Sequence, residues 1–152
     1  MGDISPARLE WYFGVAAALR VAEVEGRLAG FLLALRPGLD YASPNYRWFS
    51  RRYADFYYVD RLAVDPTWRR RGVAAALYAD AERAARAAGA PVIACEVNLR
   101  PRNDASLAFH AAQGFEEVGR QDSEDGASTV AMLVRAVDAT PGEPDAGPAR
   151  GA

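Results

Sequence analysis

Residues 56–74 read FYYVDRLAVDPTWRRRGVA, and this stretch decides the fold. Phe56–Val64 is a run of β-branched and aromatic residues that Asp65-Pro66 brings to an end, the pattern of a strand. Val73, Leu77, Ala81, Ala84 and Ala88 then recur along one helical face over 72–88, with Glu82, Arg83 and Arg86 on the other. Gly89 stands where a C-terminal cap belongs. Strand, tight turn and helix N-terminus therefore follow one another directly. At such a terminus the first four backbone N–H groups lack partners and the helix dipole places partial positive charge. Small Gly72 and Ala74 allow a ligand near the backbone, and Arg69, Arg70 and Arg71 flank the opening. The segment is an anion cradle suited to phosphate or pyrophosphate, or a solvated basic turn. It carries neither a Gly-Lys-Ser/Thr nor a GxGxxG.

Working outward, Ser5-Pro6 signals a helix start, and Leu9, Tyr12, Phe13 and Ala16 recur at helical spacing over 6–18. Residues 19–25 and 28–35 flank Gly26 as a hairpin. Residues 37–54 lose periodicity and read as a long functional loop, with a short helix around 45–52. A strand over 91–97 and a helix over 104–113 follow, the latter opened by Asn103 and closed by Gly114. Strands over 115–121 and 128–136 complete the pattern. Hairpins mixed with crossovers imply an α/β or α+β domain with one mixed sheet over residues 1–137. The Pro-, Gly- and Ala-rich residues 138–152 are expected to be a disordered tail.

Composition narrows the function. The 152 residues fit one domain. No apolar run reaches the length of a membrane span, and no signal peptide is evident, so a cytoplasmic protein is expected. One cysteine, Cys95, and one histidine, His110, exclude a disulfide framework and a His-pair metal site, so no metal is expected. A net charge of −2, with all eighteen cations arginine, argues against a protein devoted to nucleic acid.

The Arg69-x-x-Gly72-x-Ala74 pattern, after Leu62-Ala63-Val64-x-Pro66, resembles the acyl-CoA-binding motif of the GNAT superfamily of acetyl-CoA-dependent N-acetyltransferases. Downstream, Glu96-Val97 on a strand, Asn103, Ala105 or Ser106, Phe109-His110 and Gly114-Phe115 continue the resemblance over about residues 19–135. It implies a splayed central sheet flanked by helices, opened between strands 56–64 and 91–97, with acetyl-CoA as co-substrate wedged there. The family's usual first strand and helix are expected to be missing. The backbone of Leu62, Ala63 and Val64 would bond the pantetheine arm and place an N–H near the thioester oxygen. Beside Arg69, the amides of Arg70, Arg71, Gly72, Val73, Ala74 and Ala75 would hold the pyrophosphate. Asn103 would contact the cofactor arm or hold the strand-to-helix crossover.

The implied reaction is direct attack by a primary amine of a small molecule or peptide. Glu96 is the candidate base, or else a partner for a neighbouring arginine. His110 stands where the family commonly has a tyrosine and is the candidate proton donor to the thiolate, since a free imidazole titrates near 6.5. Cys95 offers a covalent route, but period-two alternation turns it to the face opposite Glu96. Tyr41, Tyr46, Arg47, Trp48, Phe49, Arg51, Arg52 and Tyr53 are candidates for covering the acceptor side, their arginines suiting a carboxylate-bearing acceptor and their aromatics an apolar or cationic one. The alternative function is a non-catalytic acyl-CoA-binding module. Self-association through the first hairpin's exposed edge or the 37–54 loop is expected.

Overall fold

Ser5 and Ser43 each stand before a proline, and both begin helices. In the computed structural model, which describes residues 5–137, the Arg8 N–H donates to Ser5 Oγ at the head of α1 (Pro6–Val15). The Tyr46 N–H donates to Ser43 Oγ at the head of α2 (Pro44–Arg52). Proline at the first helical position gives up only an N–H that would lack a partner. The 37–54 segment is thus no plain loop. Its aperiodic aromatics become a helix because Tyr46 and Phe49 fall one turn apart and are buried with Trp48. The tail expected over 138–152 lies outside the described residues.

The remaining elements are β1 (Ala18–Val24), β2 (Arg27–Leu35), β3 (Tyr57–Val64), α3 (Val73–Ala87), β4 (Val92–Arg100), α4 (Asp104–Ala112), β5 (Glu116–Asp122) and β6 (Thr129–Ala136). The six strands form one mixed sheet in the order β1-β2-β3-β4-β6-β5, flanked by four α-helices. Only β3 and β4 run parallel, as strands joined through a helical crossover do. They pair at Tyr57 with Ile93 and Tyr58 with Ala94, then part, so the sheet is splayed.

Alternation along the strands builds two cores. On one face Val59, Ile93, Cys95 and Val97 pack with Leu77, Tyr78, Ala81 and Ala85 of α3. On the other, Tyr58, Ala94, Met132, Leu33 and Leu35 pack with Tyr12 of α1 and with Tyr46, Trp48 and Phe49 of α2. The α1 face differs from its sequence reading: Leu9 and Phe13 are exposed, whereas Trp11, Tyr12, Val15 and Ala16 face the core. The tyrosine turns inward because its hydroxyl has a buried acceptor.

A break in register supplies that acceptor. Leu33 pairs with Arg61 and Ala34 with Val59, leaving Asp60 opposite no residue of β2. Such a bulge bends a strand and re-aims its side chains. Asp60 bonds Tyr12, and the Arg61 guanidinium lies 5.9 Å from the centroid of the Tyr12 ring. Both side chains therefore reach the α1 side of the sheet.

Candidate active site

Beyond Tyr58, β3 has no partner strand on its β4 side, so backbone groups there are left for something other than the sheet. A cavity of about 240 Å³ occupies the opening. Val59, Asp60, Arg61 and Leu62 of β3 line it with Cys95 and Glu96 of β4. Tyr78 of α3 and Ser106 and His110 of α4 line it as well. A second cavity of about 380 Å³ lies at the head of α3, lined by Val64, Trp68, Arg69, Arg70, Gly72, Val73, Ala74, Ala75 and Phe109. Two pieces of the sequence-predicted site are thus separate cavities at two ends of the same strand-turn-helix unit.

The head of α3 is built differently from those of the other three α-helices. Ser5, Ser43 and Asn103 cap their helices with side-chain oxygens, whereas α3 has no side-chain cap. Gly72 takes its N-cap position in the left-handed region, φ 81°, where glycine carries no steric penalty. A Cβ added there meets nothing within 4 Å. The space beside the uncapped amides is open, as an anion site requires. The Arg71 guanidinium rests 5.1 Å from the centroid of the Trp68 ring. Asn103 Oδ1 accepts from the Ser106 N–H and so caps the head of α4.

Glu96 and Cys95 point to opposite faces, as alternation predicts. Cys95 lies in the α3-side core, where burial pushes its thiol well above the usual range. Glu96 emerges on the α1 side, where the Tyr58 hydroxyl donates to its Oε1 in a very short hydrogen bond. Burial pushes the Glu96 carboxyl up to about 7; the Tyr58 bond opposes that rise and the Asp60 charge adds to it. A carboxyl titrating near neutrality is matched to proton abstraction from an amine. Tyr58 itself is buried between Tyr46 and Phe49, each ring centroid 5.7 Å away, so its hydroxyl has little freedom.

Asp60 sits next along the same face. It accepts from Tyr12 at 2.7 Å and Tyr41 at 3.0 Å, and its side chain is 6% exposed. Of the segment expected to cover the acceptor side, Tyr41 therefore reaches the site. Tyr46, Trp48 and Phe49 are core residues instead, while Arg47, Arg51 and Arg52 are exposed. The Arg52 guanidinium stacks 3.9 Å from the Trp48 ring centroid.

His110 is placed beside the opening. Its Nδ1–H donates to the Ser106 carbonyl at 2.7 Å, because a carbonyl oxygen can only accept. In the neutral ring Nε2 accepts from the Tyr78 hydroxyl at 2.8 Å. Burial lowers its pKa below the ordinary histidine value, a shift the Ser106 bond only partly offsets. The shift favours the neutral imidazole, whose single N–H is committed to Ser106. The sequence expectation of a proton donor weighed the titration range of a free imidazole and not these surroundings.

Tyr12, Tyr58, Asp60 and Tyr78 were not singled out from sequence. Tyr58 and Asp60 stand two residues apart on β3, but what brings them to Glu96 is the contact between strands and the bulge at Asp60. Tyr78 follows Leu77 on the core edge of the most regular helix. Among the described residues, no group of three His, Cys, Asp or Glu gathers to hold a metal ion. No helix among them is long and apolar enough to cross a membrane.

Comparison with known proteins bears on this geometry. The family model described as "Acetyltransferase (GNAT) family" matches residues 3–115. Ard1 from Thermoplasma volcanium is 19% identical, with a TM-score of 0.71 over 91% of this chain and 83% of its own. A Bacillus anthracis protein assigned as a streptothricin acetyltransferase, solved with acetyl coenzyme A, is 20% identical at a TM-score of 0.60, over 78% and 61%. Nourseothricin acetyltransferase is 22% identical at 0.58, covering 75% of this chain, which spans 61% of its length. No curated protein matches.

Proposed function

Since the chain belongs to the acetyltransferase (GNAT) family, we propose that it moves an acetyl group from acetyl-CoA to a primary amine of a small molecule or peptide by direct attack. The observation that carries this reading is the pairing of one uncapped helix head with one near-neutral carboxylate across a splayed sheet. Acetyl-CoA, when bound, would supply a thioester carbon and a thiolate leaving group, which takes its proton from solvent.

The chain's own residues do the rest. Arg69 and the amides of Arg70 through Ala75 hold the pyrophosphate, and the Leu62–Val64 backbone, free of β4, bonds the pantetheine arm. Glu96 keeps Oε1 on Tyr58 and takes the amine proton on Oε2. His110, neutral, holds the Tyr78 hydroxyl under the opening rather than delivering a proton. Cys95 stays out of the reaction because its thiol is buried and protonated. The reading places the protein in the cytoplasm, where a lone thiol stays reduced.

The test is acetyl-CoA consumption against a panel of amines, amino acids and peptide N-termini. At least one acceptor should raise consumption well above the hydrolytic background. Tight CoA binding with no acceptor-dependent consumption would instead favour the non-catalytic binding module. Calorimetry adds a separate check on the cradle: pantetheine, which lacks the pyrophosphate, should bind far more weakly than CoA. Equal affinities would remove the pyrophosphate assignment.

We also propose self-association through the first hairpin. β1 is a sheet edge, and Leu19, Val21 and Leu28 stand exposed on the hairpin, with Leu9 and Phe13 exposed on α1. An open edge beside apolar side chains tends to recruit a partner. Sedimentation velocity should show a dimer that Val21→Arg dissociates; a monomer at every concentration would end the idea.

A further inference from the structure

We propose that Tyr58 is a positioning residue for acetyl transfer: its hydroxyl pins one oxygen of Glu96 and leaves the other to receive the acceptor amine's proton. This rests on the reading of Glu96 as the base. The geometry is specific. Tyr58 and Glu96 belong to the two strands that part at this point: Tyr58 stands in the last β3–β4 pair, with Ala94, and its hydroxyl reaches Glu96 two residues further along β4. Without it, Glu96 could turn with the freedom of its side chain. With it, Oε1 is occupied by a donor that is itself fixed in an aromatic box of Tyr46 and Phe49.

The opposing influence is Asp60. Its carboxylate is tied by Tyr12 from α1 and by Tyr41, so it cannot swing to Glu96 or away from it. The two tyrosine hydroxyl oxygens lie 2.9 Å apart, each with its proton turned to Asp60. Other titratable or charged groups around Glu96 are Arg61 on β3, Cys95 on β4, Tyr78 on α3 and His110 on α4, while its neighbour on β6 is apolar Met132. Tyr58 donates directly to the carboxylate. A hydrogen bond to the ionised form favours that form, so Tyr58 keeps the base available at neutral pH against its burial.

The test uses Tyr58→Phe, which keeps the ring in its box and removes only the hydroxyl. Carbon-13 NMR of glutamate-labelled free protein, with Glu96 assigned from Glu96→Gln, reads the carboxyl directly. Its midpoint should rise by about one pH unit in Tyr58→Phe, since a hydrogen bond to a charged group is worth at least that much. The ascending limb of kcat/KM should move up by the same amount, and the plateau should fall. A fluorinated tyrosine at position 58, a stronger donor that preserves packing, should move both midpoints down and serves if Tyr58→Phe does not fold. Midpoints that stay put in whichever variant folds overturn the proposal. A Glu96→Gln protein with full turnover removes the base reading itself, a result distinct from an unmoved carboxyl.

Discussion

Glu96→Gln should lower kcat/KM for acetyl transfer by about 10²- to 10⁴-fold, the usual worth of general base catalysis, with CoA affinity unchanged. The substitution is isosteric, and the amide oxygen still accepts from Tyr58, so the splayed strands keep their spacing. What disappears is the basic oxygen. In the unsubstituted protein the ascending limb should have its midpoint near 7, because the carboxyl is protonated below that value and able to take a proton above it. The variant should lose that limb and follow the acceptor amine's own ionisation. Undiminished turnover would mean that water takes the proton. His110→Ala is the informative contrast. A neutral imidazole contributes no descending limb, so the profile should keep its shape. A descending limb present before the substitution and absent after it would restore His110 as proton donor.

Gly119→Ala should destabilise the protein by about 1–3 kcal/mol, the cost of overpacking a closed site. A Cβ there would lie 2.3 Å from Cζ2 of Trp48 and 2.9 Å from its Cη2. The indole cannot easily yield, since Phe49 meets it edge-on and the Arg52 guanidinium covers it. For a chain of this size the loss corresponds to a fall of roughly 3–10 °C in Tm. Gly14→Ala is the control: its Cβ would meet nothing, and alanine in a helix is favoured by about 0.5–1 kcal/mol. An unchanged Tm in Gly119→Ala would show that α2 can slide over β5. Phe49 and Tyr46 of the same helix box in Tyr58, so a measurable drop in turnover should accompany the loss of stability.

Much of this molecule could be read from its sequence, because its strongest signals are local. Gly72 after three arginines marks a helix start, Asn103 eleven residues before Gly114 marks a short helix, and alternation at Cys95-Glu96 separates the two faces. The second helix carried the same Ser-Pro signal at Ser43-Pro44 as the first at Ser5-Pro6, but its crowd of aromatics obscured the period. The site's finer parts were not local. Asp60 matters through a bulge set by its register with β2, and Tyr58 through a strand 38 residues later. His110 shows the reverse: its place was legible, but its protonation depends on Ser106 and Tyr78, whose roles appear only once α3 and α4 are packed.

The two paired positions joining β3 to β4 also bear on how the protein holds together. Three strands lie on each side of that junction, each trio bound internally by long antiparallel ladders. Units of this kind open as separate cooperative blocks when the seam between them is weak. A molecule lodged in the seam, bonding both blocks, takes the place of the missing ladder. It adds RT ln(1 + [L]/Kd) to the stability of the whole, about 2.7 kcal/mol at a hundredfold excess over Kd. In the cell the co-substrate pool would then govern the fold's lifetime as well as its turnover.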